Sequence, residues 1–288
     1  MGFGAGGLGD IAGRVIGQKM AESLGKPVVI ENLPGAGGMM AAASLTRSAP
    51  DGHTMLWVSG QNAIARSMFK ALSYDWATDF ALVGPIGTFD FVMIVAKDSP
   101  LKTVRDVIAA AKSDPTKFNF GTIAVGTAQN LSALKFVSMT GLSVPTVPFR
   151  TTGEVVTALI SGNVQVAFET VPGVIGQIQS GALRAIGVSS ERRASYLPDV
   201  PTIAESGVAD YKVFSWNGIA VPAKTPQPLV ARLNKELASA IATPEVSKRF
   251  RELAIEPRTG TPEDLQKIYE ADVALWRKVI IDAKIQPQ

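Results

Sequence analysis

The chain of 288 residues contains no cysteine and one histidine. The first absence removes disulfides, thiolate nucleophiles and thiolate metal sites together, and is compatible with a reducing or an oxidising compartment. With His53 alone, little remains for a histidine-ligated metal centre or a histidine-based catalytic triad. Charge is also sparse. Charged residues make up 18% of the chain against 46% hydrophobic ones, the reverse of the balance that keeps a chain disordered. The net charge of +3 is too small to argue for nucleic acid, and 4 Trp and 4 Tyr offer few platforms for stacked bases. No run of about 18 uncharged apolar residues would make a transmembrane helix. The length suits one large domain or two of roughly 100–150 residues.

Short runs rich in Val, Ile and Phe alternate with helix-length segments, the pattern of α/β sheets covered by helices. In the first half this predicts a helix over Asp10–Leu24 and a strand at Val28–Glu31. A small-residue helix at Met39–Ser48, a strand at Thr54–Val58 and a helix ending near Phe69 follow. Phe91–Ala96 reads as a strand, and a second series then begins with helix Val104–Ser113, strand Asn119–Ile123 and helix Ala128–Met139. After it come strand Val144–Phe149, helix Gly153–Ile160, strand Val164–Phe168, a short helix over Pro172–Ser180, strand Leu183–Ser189 and a returning strand at Phe214–Val221. The tail is helical. Val230, Leu233, Leu237 and Ile241 recur at helical spacing within Gln227–Ala242, as do Leu265, Tyr269, Val273, Trp276 and Ile280 within Pro262–Ala283.

Gly4, Gly6 and Gly9 match the dinucleotide pattern G-x-G-x-x-G, with Glu31 at the end of the next predicted strand. Gly2, Gly4 and Gly7 match it as well, in a chain with 27 glycines, and no strand precedes the loop. An NAD(P)-dependent oxidoreductase using Gly4–Gly9 is therefore the alternative reading. No serine lies in G-x-S-x-G, no pair of carboxylates stands out, and catalytic chemistry is not visible. What remains is a set of strand-to-helix loops suited to anions: Phe3–Gly7, Ser59–Ala63 and Gly126–Gln129. Helix N-termini present free N–H groups and a favourable dipole, and in open α/β sheets ligands bind beyond the carboxyl ends of the strands.

Several segments follow one another at the spacing of a single family. They are Phe3-x-Ala5-Gly6-Gly7 with Asp10 and Arg14, Glu31-Asn32-x-Pro34-Gly35-Ala36-Gly37-Gly38, Ala49-Pro50-Asp51-Gly52-x-Thr54 and Tyr74-Asp75. Val147-Pro148-Phe149, Pro198-Asp199-Val200-Pro201-Thr202, Trp216-x-Gly218 and Thr225-Pro226 continue the series. Over essentially its whole length the chain resembles the Bug-type substrate-binding proteins of tripartite tricarboxylate transporters. The resemblance implies a two-lobed Venus-flytrap fold (type II periplasmic binding protein-like), with two doubly wound sheets and an interlobe cleft. Residues 1–98 and 218–288 would form the first lobe and 99–217 the second. It implies no enzyme and no cofactor or metal. The expected protein is a monomeric periplasmic receptor that closes on a small organic carboxylate (a di- or tricarboxylate, amino-dicarboxylate or aromatic acid) and presents it to membrane permease subunits. Carried over, Phe3, Gly4, Ala5, Gly6 and Gly7 form one ligand loop, and Ser59, Gln61 and Asn62 a second. Gly126, Thr127, Ala128, Gln129 and Thr170 contribute from the other lobe. Three features depart from the family: a signal peptide and first strand expected ahead of Phe3 are missing, which would leave an unpaired sheet edge; His53 replaces a tyrosine; and Asp90 stands where apolar residues are usual. If Asp90 reached the ligand it would favour an amine or a neutral ring over a second carboxylate.

Overall fold

The computed structural model describes residues 1–6, 8–35 and 38–287. The chain runs α1 (Leu8–Leu24), α2 (Met39–Leu45), β1 (Leu56–Ser59), α3 (Gly60–Met68), β2 (Phe80–Ala96), α4 (Val104–Ser113), β3 (Phe120–Ile123), α5 (Ala128–Thr140) and β4 (Thr146–Phe149). It continues through α6 (Thr152–Ile160), β5 (Val166–Thr170), α7 (Val171–Gln179), β6 (Leu183–Val188), β7 (Phe214–Pro222), α8 (Gln227–Ala242), α9 (Pro244–Glu252), β8 (Glu256–Pro257) and α10 (Pro262–Asp282). These elements form two units. One comprises Met1–Thr88, Trp216–Arg277 and the C-terminal residues from Gln286; the other comprises Phe89–Ser215 and Lys278–Ile285.

In the first unit β1 pairs antiparallel with β7, β7 neighbours the first half of β2, and β8 pairs antiparallel with β2 at Gly87 and Thr88. Helix α1 buries Ala12, Ile16 and Met20, four residues apart on one stripe, in a core with Trp57, Val83, Ile86, Val230, Leu237, Ile241 and Phe250. Each large side chain so buried contributes roughly 1.5–3 kcal/mol. The predicted strand at Val28–Glu31 is not a strand. Gly17 lets Val28 and Ile30 lie against α1, since a Cβ there would stand 3.3–3.4 Å from their side chains. The segment's ladder-like bonds run to Met1, whose amino group donates to the Glu31 carbonyl and whose carbonyl accepts from Leu33 N. Between residues 28–33 and Thr54–Trp57 lies a cavity of about 660 Å³, so no ladder joins this segment to β1.

Strand β2 extends well ahead of the predicted Phe91–Ala96, running through Gly84, Pro85 and Gly87. A Cβ on Gly84 would come within 3.2 Å of the Gly260 carbonyl, and one on Gly87 within 2.9 Å of the Glu256 carbonyl. The glycines admit neighbouring backbone and do not end the strand. Its second half enters the other unit, whose sheet has the order β6-β2-β5-β3-β4. There β3 pairs parallel with β4 and β5, while β2 is antiparallel to β5 and β6. Phe120, Phe136, Phe168 and Tyr211 form the aromatic heart of that unit, with centroids 5.8–6.2 Å apart, and the Tyr211 hydroxyl donates to the Ser132 carbonyl at 2.9 Å.

Candidate functional site

In the first unit the glycine loop is held by one buried carboxylate. Asp10 accepts from Gly6 N at 2.9 Å, Arg14 Nε at 3.0 Å and Asn32 Nδ2 at 2.9 Å. Asn32 Nδ2 also donates to the Phe3 carbonyl at 3.0 Å, tying both ends of the loop to the segment after Glu31. The Arg14 guanidinium, then the Gly6 amide and the Asn32 amide, hold the Asp10 carboxyl well below its usual range. Gly6 has φ +79°, a conformation that suits glycine. A Cβ on Gly9 would strike the Phe3 ring at 2.7 Å, so the glycine seats that ring. Gly4 and Ala5 are exposed and Phe3 half-buried; Gly7 lies outside the described residues. This arrangement explains why the loop is a poor diphosphate cradle. Asp10 already places a carboxylate in the first turn of α1, where it uses the Gly6 amide.

The second loop divides. Ser59 and Asn62 are buried at the β1–α3 junction, where Ser59 N donates to Asn62 Oδ1 at 2.9 Å. Both serve the helix cap, which leaves half-buried Gln61 as the member whose side chain these bonds do not engage. Trp57 Nε1 donates to buried Asn217 at 3.0 Å, locking β1 to β7 directly beneath this junction.

In the second unit the β3–α5 loop turns at Gly126, φ +81°. Thr127 caps α5: its hydroxyl accepts from Asn130 N at 3.3 Å and donates to the Ala124 carbonyl at 2.8 Å. Its side chain is thereby spent on the fold, and what the loop offers a ligand is the backbone at the start of the helix, around half-buried Ala128 and Gln129. Asn130, which sequence reasoning missed, holds the loop from beneath. It is 1% exposed, accepts from Gly126 N at 3.3 Å and donates to Thr122 Oγ1 at 3.2 Å. Only its spacing, three residues after the cap, could have signalled this role.

Thr170 stands at the N-cap position of α7 and is half-buried; its amide donates to Glu169 Oε2 at 3.3 Å. The same oxygen accepts from Thr152 Oγ1 at the start of α6 at 3.2 Å and from Gln129 Nε2 at 3.5 Å. Gly173 makes room for the Thr170 hydroxyl, which a Cβ would meet at 2.9 Å. Thus Gln129, Thr152 and Thr170, at the starts of α5, α6 and α7, are joined through Glu169, while Gly126, Thr127 and Ala128 lie in the turn that opens α5. Asp90, on β2, is 9% exposed and accepts from the Tyr196 hydroxyl at 2.9 Å. Among the described residues no group of three or more His, Asp or Glu could hold a metal ion, and no helix is long and apolar enough to cross a membrane.

The chain matches the family described as "Tripartite tricarboxylate transporter family receptor" over residues 12–285. It is 32% identical over 284 residues to the "UPF0065 protein in tcbD-tcbE intergenic region" of Pseudomonas sp. (strain P51), covering 98% of this chain and 84% of that protein. Among solved structures, "R. palustris Rpa4515 with adipate" superposes with a TM-score of 0.87 at 31% identity, covering 99% of this chain and 96% of that one. "Structure of periplasmic binding protein BugD" gives 0.85 at 29%, covering 100% and 97%. The expected type II periplasmic-binding-protein fold class is the one found, and the matching family is one of transport receptors, not of enzymes. The chain belongs to the receptor family of the tripartite tricarboxylate transporters.

Proposed function

We propose that this protein is the extracytoplasmic receptor of such a transporter, capturing a small organic carboxylate in the periplasm and delivering it to membrane permease subunits. The observation that carries the reading is the convergence of three helix N-termini, α5, α6 and α7, around Gln129, Thr152 and Thr170, none of them cationic. First-turn amides have no intrahelical acceptor, and together with the helix dipole they favour an anion there without an arginine clamp. The adipate named with the 31%-identical R. palustris structure supports a dicarboxylate as the ligand class. On this reading Gly126, Thr127, Ala128, Gln129 and Thr170 meet the ligand through backbone and half-buried polar groups. For the first unit by itself, Phe3, Gly4, Ala5, Gly6, Gly7 and Gln61 are the proposed ligand-loop residues, with Asp10 holding Gly6 in place and Ser59 and Asn62 shaping the turn before Gln61.

Thr127→Asp tests it. Aspartate caps a helix as well as threonine does, so α5 should survive, yet it adds a charge at the proposed anion position. Adipate affinity measured by calorimetry should fall roughly tenfold, a change of about 1.4 kcal/mol. Unchanged affinity would remove the loop from the site.

A further inference from the structure

Glu169 is the most completely buried carboxyl of the second unit, at 0% exposed, and its two oxygens differ in kind. Oε2 accepts from Thr170 N, Thr152 Oγ1 and Gln129 Nε2, one donor from the start of each of three helices, at 3.2–3.5 Å. Oε1 is equally buried and has no hydrogen-bond partner among the described residues. A carboxylate anion without water would need strong donors on both oxygens. Long bonds on one and none on the other describe a neutral acid, with Oε2 as the carbonyl and Oε1 as the hydroxyl. Burial pushes this carboxyl up to about 7, against the smaller opposing effects of the three donors.

The charged groups around it do not alter that picture. On β2, Val92 stands opposite Glu169, and Asp90 is one step further along the same face. Asp90 would oppose a second negative charge. On α5 the contacting residue is neutral Gln129; the first ionisable residue is Lys135, which donates to the Lys212 carbonyl at 2.8 Å. Ahead of α6, Arg150 is exposed, and so is Glu154, which accepts from Arg150 N at 2.9 Å. Neither α7 nor β3 carries an ionisable side chain.

We propose that Glu169 is a proton-bearing positioning residue that links carboxylate capture to protonation. While Oε1 carries its proton, the N-termini of α5, α6 and α7 are left to attract the ligand's anionic group. Once the proton leaves, the charge of Glu169 takes the ligand's place beneath them, and the long bonds that Gln129, Thr152 and Thr170 already make to Oε2 shorten onto a carboxylate. Capture above neutral pH then takes up a proton: the ligand anion and one H⁺ enter together, and Glu169 ends as the acid. The inference rests on the carboxylate reading above.

Two measurements separate the two. Infrared difference spectra between the wild type and Glu169→Gln, both without ligand, read the protonated-carboxyl C=O band directly. At about pH 6.5 the band should be present in the wild type and one such contribution lost in the variant; no loss would overturn the proposal. Calorimetry with adipate, a dianion throughout about pH 6.5–8.5, reads the linkage. Wild-type Kd should rise roughly tenfold per pH unit above about 7 with measurable proton uptake, while Glu169→Gln should stay flat. A pH-independent wild-type Kd, or a slope that survives in Glu169→Gln, overturns the linkage and leaves the receptor reading intact. If no dicarboxylate binds the wild type at any pH, the receptor reading falls and the linkage with it.

Discussion

Single ionisable residues give this protein pH dependences of opposite sign. Asp272 is 7% exposed, its carboxyl accepts from Trp216 Nε1 at 2.9 Å, and burial pushes it up to about 7. With Glu169, two buried acids hold their protons in the folded state over a range where the unfolded chain has already lost them. Between about pH 4 and pH 7 the folded state binds more protons, so stability is greatest at the acid end and falls as pH rises. Above about 7 the loss levels off. Asp272→Asn keeps an acceptor for Trp216 and removes the titration. Thermal melts should show the variant more stable than the wild type at pH 8, by on the order of 1–3 kcal/mol, and no gain at pH 4.5. An equal shift at both pH values would mean that packing, not protonation, governs the site. Asp10 has the opposite sign. Its carboxyl is held low by Arg14, so its contribution is present above the ordinary aspartate range and disappears on further acidification. This limb of the profile sets where acid unfolding of the glycine loop begins.

At the scale of elements, caps and close approaches position the loops. Asn130 ties the first turn of α5 to the Gly126 turn and to Thr122 on β3. Asn130→Ala should cost about 1–2 kcal/mol, since the Gly126 amide is buried and loses its acceptor. Adipate affinity should fall by more than that global loss explains, because the loop loses its set position. Denaturant melts paired with calorimetry check this, and a variant that melts earlier but binds as before would make Asn130 a purely structural residue. Helices such as Val104–Ser113 and Gln227–Ala242 were legible to the residue, because their apolar spacing is local. Helix α9 was not: Pro244–Glu252 is mostly polar, and only Val246 and Phe250 are buried, too few to show a period. Nor was the first half of β2, whose glycines make sense only beside the backbone they admit. The strand expected at Val28–Glu31 has the right residues, yet Val29 is 77% exposed, and the segment faces a cavity where a ladder partner would be needed.

For the whole molecule, the expected function is a linkage statement. A ligand that binds only the folded protein raises its stability by about 2.7 kcal/mol at a concentration one hundred times its Kd. Melting in the presence of adipate should therefore shift upward with concentration in a saturable way, while NAD should leave the midpoint unmoved. A shift with NAD and none with any carboxylate would restore the oxidoreductase alternative that the glycine pattern raised and that the Asp10 network argues against.

Amino-acid order alone was enough to place this chain in its class. Family segments such as Glu31-Asn32-x-Pro34 and Pro198-Asp199-Val200-Pro201, the α/β alternation and the loops that open helices are all written locally. It named Ser59, Asn62 and Thr127 without distinguishing residues spent on the fold from those offered to a ligand. That division came only with packing. Thr127 bonds Asn130 and Ala124, Asn62 bonds Ser59, and Glu169 lies under residues 17 and 40 positions away in the chain. Whether a polar atom is already satisfied, and whether a carboxyl keeps its proton, depends on neighbours that are distant in the chain and adjacent only in the folded molecule.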